Sequence, residues 1–203
     1  MNKESLLRNI ALTGYKIGLG AKKHFLTYYV YRFLPKYSSF CILAIGIFQL
    51  TAFYKMNVLE NGRDLISVVL IIGGLISLVT DVASKDIKRY NAIGQELLKS
   101  FDKLRSLYNT VRFINSADID LTPYELKFEQ IEEQAKQIAI SDQAVGIQIL
   151  SYIYFFSTMQ IDWIDEQFNF KLKDKFPYYH FEAIGLYVII IIIVAMFVRS
   201  VLM

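Results

Sequence analysis

The sequence has little cysteine, proline, glycine or histidine, and each shortage narrows the fold and the chemistry. A single cysteine, Cys41, excludes a disulfide framework within the chain. Three prolines and ten glycines in 203 residues predict long helices rather than a turn-rich β fold. The two histidines, His24 and His180, lie far apart in the sequence, and neither has a partner at metal-ligand spacing. We therefore expect no metal site and no cofactor.

Signatures of catalysis are missing as well. The glycines of TGYKIGLG, 13–20, follow no predicted strand and lack the spacing of a phosphate loop, so a small-residue helix or turn is the better interpretation. The acidic residues Asp162, Asp165 and Glu166 lack the alternation of a calcium loop and are expected on a solvated surface. The net charge of +3 gives little support for nucleic-acid binding. We therefore predict a protein that is not an enzyme and does not bind nucleic acid directly.

Three long apolar runs are the strongest positive feature. Residues 38–54 carry no charge, residues 65–83 are uncharged up to Asp81, and residues 181–203 contain the most hydrophobic stretch of the chain. Each run approaches the length that crosses a hydrocarbon core of ~30 Å. The short polar connection at 55–64 makes the first two runs a predicted transmembrane hairpin, and the third predicts a C-terminal transmembrane helix.

Basic residues predict how these runs are oriented. Seven Lys and Arg residues precede the first run and five lie between 85 and 103, whereas the connection between the runs contains only Lys55 and Arg63. Because basic residues concentrate in cytoplasmic loops, we expect the N-terminus and the middle of the chain inside the cell. The same basic residues interrupt the first 36 positions, so we expect no cleavable signal peptide.

The remaining sequence predicts two further segments. Residues 1–37 are basic and amphipathic, typical of a helix lying along the inner membrane surface, where we also expect His24. Residues 84–180 form a predicted cytoplasmic helical region. Its first part, 84–113, repeats apolar residues at alternating spacings of three and four, which predicts a helix with one apolar stripe.

A second helix is predicted after a turn at 114–121. Thr122, Pro123 and Glu125 fit a capping box, with Thr122 as the N-cap. An apolar stripe then continues to Phe156, so the two stripes predict an antiparallel helical hairpin or packing between subunits. The uncharged stretch 143–161 fits either a buried helix end, which we prefer because glutamines and serines dilute it, or a fourth span. Trp163 beside it suits a membrane interface.

One face of the second apolar run is polar or small. Five residues share this face: Ser67, Gly74, Ser77, Asp81 and Ser84. Such a stripe avoids lipid, so it either lines a water-filled path in an oligomer or lets the first run pack closely. A ring of Asp81 carboxylates at a pore mouth would favour cations. Gln49, in the first run, is a further intramembrane polar group able to hydrogen-bond across helices.

The order of these segments resembles the SLATT family of bacterial two-span effector domains. A basic N-terminal segment precedes a hairpin with a short outer loop, and the second span runs into the long helix DVASKDIKRYNAIGQELLKSFDKLRSLY, 81–108. The predicted third span resembles the extended subfamily. The resemblance implies an effector of the bacterial inner membrane that forms a homo-oligomer and permeabilises the membrane in abortive anti-phage defence. It also implies a trigger, either a nucleotide signal or a partner such as a nucleotide-synthesising enzyme or a reverse transcriptase.

The sequence thus predicts an all-α integral membrane protein in contact with membrane lipids. It would contain a transmembrane helical hairpin, a long cytoplasmic helical hairpin and a C-terminal transmembrane helix. Membrane permeabilisation by an oligomer is the leading hypothesis. The alternatives are a membrane anchor or scaffold that recruits a cytosolic partner through residues 84–180, and a small ion channel or transporter subunit.

Overall fold

The computed structural model describes residues 2–50, 66–75, 77, 87–114, 120–140, 144, 146–171, 174–175, 185, 188–190, 192 and 196. The regular elements within these ranges are all helical, which confirms the all-α class. The helices with defined bounds are α1 (Lys3–Gln49), α2 (Ile87–Phe113), α3 (Thr122–Ile138), α4 (Ile147–Thr158) and α5 (Asp162–Phe168).

The chain divides into two compact units, and α1 contributes residues to both. The first unit comprises Met1–Thr27 and Lys88–His180, and the second comprises Tyr28–Ile87 and Phe181–Met203. The predicted boundary at residue 37 therefore falls inside α1. The first part of α1 buries a series of side chains from Leu6 to Thr27 in the core of the first unit.

The apolar stripe predicted for 84–113 forms part of that core. From Tyr90 to Val111, every predicted stripe residue on α2 is buried, and the helix ends at Phe113 as predicted. Lys3 stabilises this helix end, because its ammonium group donates hydrogen bonds to the carbonyl oxygens of Arg112 (2.8 Å) and Ile114 (2.6 Å). A cation at a helix C-terminus also interacts favourably with the helix dipole. On α3, Phe128, Ile131 and Ala135 complete the facing stripe.

Two glycines of TGYKIGLG allow close packing against α1, which confirms the small-residue helix. A Cβ atom at Gly14 would overlap the indole ring of Trp163, and one at Gly18 would lie 2.7 Å from Phe155 Cε2 and 2.9 Å from Phe101 Cδ2. The predicted interfacial position of Trp163 is wrong. Its ring is buried against Phe101, with the ring centroids 5.5 Å apart.

The capping box predicted at Thr122 is not formed. Leu121 is the N-cap of α3 and makes no capping hydrogen bond with its side chain, and Pro123 lies in the first turn. Instead, the Thr122 N–H donates to Asp120 Oδ1 at 3.0 Å. The start of the helix was predicted correctly, because proline tolerates the first turn whichever residue caps it.

The second stripe does not continue as one helix to Phe156. Ala139 is extended at the end of α3, and Gly146 has a left-handed φ of 80° before α4 begins. Thr27 stabilises the segment between the two helices, because its Oγ1 accepts a hydrogen bond from the Ala144 N–H at 3.2 Å. α4 has 12 residues and buries Phe155 in the first unit. A short helix with buried side chains fits the preferred interpretation of 143–161 as a buried helix end.

The predicted spans are described only in part. α1 covers the first span as far as Gln49, residues 66–75 and 77 of the second span are helical, and so are 185, 188–190, 192 and 196 of the third. The other positions of these spans lie outside the described residues. Across the part of the chain that is described, every helix falls short of the length or the hydropathy that a bilayer crossing requires.

Candidate functional site

The described part of the second unit leaves most of its large apolar side chains exposed. Its buried core consists of Ile66, packed by Ile45, Phe48 and Leu70. On α1 and the residue that follows it, an exposed apolar face is formed by Tyr37, Phe40, Leu43, Ile47 and Leu50. The spacing of three or four residues places these side chains on one side of the helix. Contiguous exposed apolar surface of this kind marks contact with lipid or with another protein.

The described part of the second predicted span, residues 66–75 and 77, also contacts α1 through small side chains. A Cβ atom at Gly73 would lie 3.5 Å from Ile42 Cγ1, which is an ordinary van der Waals distance. The hydroxyl groups of Ser39 and Ser77 are 3.2 Å apart and share a hydrogen bond. Gly73 and Ser77 therefore let this part of the second predicted span approach the first, as expected for packing between small residues.

The predicted polar face is thus divided between two environments. Ser77 contacts α1, whereas Ser67 is exposed and a Cβ atom at Gly74 would meet nothing within 4 Å. Asp81 and Ser84 lie outside the described residues. Gln49 is half-buried at the last position of α1. Among the members of this face that the structure describes, Gly74 therefore has open space beside its Cα atom.

An aromatic ladder with one arginine precedes the exposed apolar face on α1. The ring of Phe33 lies 6.2 Å from that of Tyr29 and 6.3 Å from that of Tyr37, measured between centroids. The guanidinium group of Arg32 donates to the Tyr28 hydroxyl at 2.6 Å and lies 5.4 Å from the Phe33 ring centroid. Tyrosine and arginine with an apolar body and a polar tip suit the boundary between lipid and water.

Sequence reasoning missed a buried polar cluster on α1 in the first unit. His24 was expected at the membrane surface, but it is 1% exposed and stacks on Tyr90 with the centroids 6.2 Å apart. Lys22 is also buried, and its ammonium group lies 4.3 Å from the centre of the Tyr154 ring. Thr27 is fully buried and donates to the Lys23 carbonyl oxygen at 2.9 Å. The helical spacing from Ile10 through Gly14 and Ala21 could have predicted this buried face.

A cleft of about 200 Å³ lies beside His24. Its walls come from one face of α1, from Leu97 on α2, and from the end of α3 with the two residues that follow it. His24 Nδ1 is buried and has no hydrogen-bond partner among the described residues. Buried polar atoms are nearly always paired, so a cleft lined by a residue with an unpaired buried nitrogen is a second candidate site.

The stability of the first unit should depend on pH through His24. Burial, followed by the nearby Lys23 ammonium group, lowers the pKa of His24 below 6.5. In the unfolded chain the imidazole takes up its proton at a higher pH than in the folded chain, so stability is present above about pH 6.5 and is lost as the pH falls. We expect the unfolding midpoint in denaturant to drop between about pH 7.5 and pH 5.5.

Substitution of each histidine separates this effect from other titrations. His24→Gln keeps a polar side chain of similar reach and should flatten the pH dependence in this window. His180→Gln should leave it unchanged. An equally steep pH dependence in His24→Gln and in the unmodified chain would show that His24 is not its source.

Comparison with known proteins adds one match. The family model described as SMODS and SLOG-associating 2TM effector domain 6 matches residues 1–184. The matched region contains both runs of the predicted hairpin and the whole first unit, and it ends near the start of the predicted C-terminal helix. No curated protein and no solved structure matches the chain. Among the described residues, no group of three or more His, Cys, Asp and Glu side chains could hold a metal ion.

Proposed function

Because the chain belongs to the family of SMODS and SLOG-associating 2TM effector domains, we propose that it is a membrane-embedded effector of bacterial anti-phage defence. It resides in the inner membrane with its N-terminus in the cytoplasm and assembles with copies of itself. The assembly permeabilises the membrane and arrests the infected cell. A nucleotide signal, or a partner enzyme that makes nucleotides or reverse-transcribes RNA, triggers this step.

The observation that carries the proposal is the contrast in apolar exposure between the two units. The first unit buries most of its large apolar side chains, among them Phe101, Tyr108 and Phe155, in one core. The second unit exposes side chains of similar size, with Phe40 at 68% and Leu50 at 81%. An apolar surface of this extent is unfavourable in water, at about 25 cal/mol per Å². Lipid or further copies of the chain would remove it from water.

The small side chains of the second predicted span support assembly of several copies around a water-filled path. Ser67 is exposed on the predicted polar face, and a Cβ atom at Gly74 on the same face would meet nothing within 4 Å. Asp81 and Ser84 would extend that face toward the cytoplasm. In an oligomer, this face would meet the same face of neighbouring copies and enclose water, because polar groups in hydrocarbon remain unsatisfied.

Gly74 provides the sharpest test of the path. Gly74→Leu adds a side chain where a Cβ has open space, so the fold of one copy should persist while the path narrows. We expect triggered ion release from proteoliposomes to fall at least tenfold. Gly46→Leu is the matched control, because a Cβ at Gly46 on α1 also meets nothing within 4 Å. Ion release from this control should stay near that of the unmodified protein.

Asp81 adds a test of selectivity. Asp81→Asn should reduce the preference for cations over anions without abolishing release, because it removes the predicted ring of charge. Equal ion release by Gly74→Leu and Gly46→Leu, combined with unchanged selectivity in Asp81→Asn, would contradict the pore. The polar face would then serve close packing of helices.

A membrane anchor that recruits a cytosolic partner is the second candidate. The first unit has its own core and its own cleft, as a recruiting module requires. If the protein is an anchor, both Gly74→Leu and Gly46→Leu should still protect cells against phage. Liposomes that contain the protein should then release no ions under any trigger. A small ion channel or transporter subunit, the third candidate, would instead conduct without a trigger.

A further inference from the structure

We propose that the cleft between α1, α2 and α3 of the first unit binds a small organic anion, a single ring carrying one carboxylate. The site combines an apolar pocket, a buried imidazole nitrogen without a partner, and lysines at its mouth. This binding is a property of the first unit and goes beyond the proposed action on the membrane.

The volume and walls of the cleft set the size and character of the ligand. The cleft measures about 200 Å³, and a dry cavity of roughly 150 Å³ accepts a benzene ring. One ring with one substituent therefore fills the cleft. Ile17, Leu97, Ala135, Ala139 and Ile140 supply apolar walls, as ligand pockets generally do.

His24 supplies the polar contact at the cleft. The side chain is 1% exposed, and its Nδ1 atom has no hydrogen-bond partner among the described residues. Nδ1 is itself buried, so a ligand in the cleft reaches it by displacing neighbouring side-chain atoms. Pairing with Nδ1 then removes the unfavourable burial of an unpaired polar group. Among the described residues, the titratable and charged groups that face this histidine or line its cleft are Lys23 on α1, Tyr90 on α2, and the cleft residues Lys16, Glu132 and Lys136.

The charges at the mouth select an anion. Lys16 and Lys136 contribute two positive charges, and Glu132 contributes one negative charge. The Lys136 ammonium group lies 3.3 Å from a Glu132 carboxylate oxygen, and these two partly offset each other. The remaining positive charge comes from Lys16. A carboxylate between Lys16 and His24 would be attracted by both side chains, provided that the imidazole takes up a proton on binding.

The experiment measures binding of three fluorinated probes to the full-length protein in lipid nanodiscs by fluorine NMR. Para-fluorobenzoate has both the ring and the charge, fluorobenzene has the ring alone, and trifluoroacetate has the charge alone. We expect para-fluorobenzoate to bind with a dissociation constant on the order of 1 mM, as suits a fragment of this size. The other two probes should bind at least tenfold more weakly. Equal binding of fluorobenzene and para-fluorobenzoate would overturn the assignment of an anion.

Variants locate the bound probe. Gly20 lines the cleft, and a Cβ there would lie 3.7 Å from Leu97 Cδ1, so added atoms fit without overlap. Gly20→Val should fill part of the cleft and weaken para-fluorobenzoate binding at least tenfold. Ala139→Val repeats the test from another wall. Gly46→Val, at an open position on α1, should bind as the unmodified protein does. Unchanged binding in both cleft variants would overturn the site.

The protonation state of the His24 imidazole distinguishes binding in the cleft from partition of the probe into lipid, because probe dissolved in lipid would not change it. With His180→Gln as background, His24 is the only histidine, and its nitrogen resonances report its protonation state directly. A bound carboxylate should raise the pKa of His24, which burial otherwise lowers. No change in the His24 titration up to the solubility limit of para-fluorobenzoate would contradict the proposal.

Discussion

Replacing Trp163 with alanine should lower the free energy of unfolding of the first unit by about 3–5 kcal/mol. The indole ring is 4% exposed and lies between α1 and α2, with its centroid 5.5 Å from that of Phe101 and 5.3 Å from that of Tyr108. Its removal leaves a cavity that helix backbones close only in part. Denaturation of the full-length protein followed by circular dichroism measures the loss. Phe113→Ala, at a side chain 79% exposed, is the control and should change stability by less than about 0.5 kcal/mol.

Substitution of Gly14 tests the contact between this residue and the Trp163 ring directly. Gly14→Leu alone should destabilise by about 1–3 kcal/mol, because its side chain would occupy the volume of the Trp163 ring. In the Trp163→Ala background the same leucine would fill the cavity. The double variant should then be more stable than the sum of the single changes predicts, by about 0.5–3 kcal/mol. Additive effects would mean that the two residues do not share this space.

The sequence predicted the positions of the helices in the first unit better than it predicted which helices pack against one another. The spacing of apolar residues on α2 follows directly from 3.6 residues per turn, so the stripe from Tyr90 to Val111 and the helix end at Phe113 were predictable. The burial of His24 and Lys22 was not, because it depends on which helices cover α1. Basic residues on a long helix suggest a membrane surface until the packing of Trp163 on Gly14 is known.

For the polar face of the second predicted span, the sequence predicted which residues share the face but not which of them contact α1. Counting polar and small residues on one face identified Ser67, Gly74 and Ser77 together. The contact between Ser77 and Ser39 separates them, since the side of a helix that meets its neighbour depends on tertiary packing. The cleft beside His24 had no sequence signal, because its walls come from three helices distant in the chain.

Phe40→Asp and Phe113→Asp should have opposite outcomes although both side chains are highly exposed. Phe40 is on the exposed apolar face of α1, and a charge there should disfavour membrane insertion by about 2.5–3.5 kcal/mol. Combining it with Ile47→Asp should roughly double the effect, and the protein should shift from the carbonate-resistant membrane fraction to the soluble or aggregated fraction. Phe113 is on α2 of the first unit, where water should solvate the new carboxylate without loss of membrane association.

The pattern across these variants also separates lipid contact from contact between copies. If Phe40 faces lipid, Phe40→Asp with Ile47→Asp reduces the membrane fraction before any assembly is measured. If it faces another copy, the protein stays in the membrane and chemical cross-linking between copies is lost instead, because the charge is then buried at an interface. Identical behaviour of the Phe40 and Phe113 variants in both assays would contradict a membrane role for the exposed apolar face. The contrast between the two units would then need an explanation other than a change of solvent.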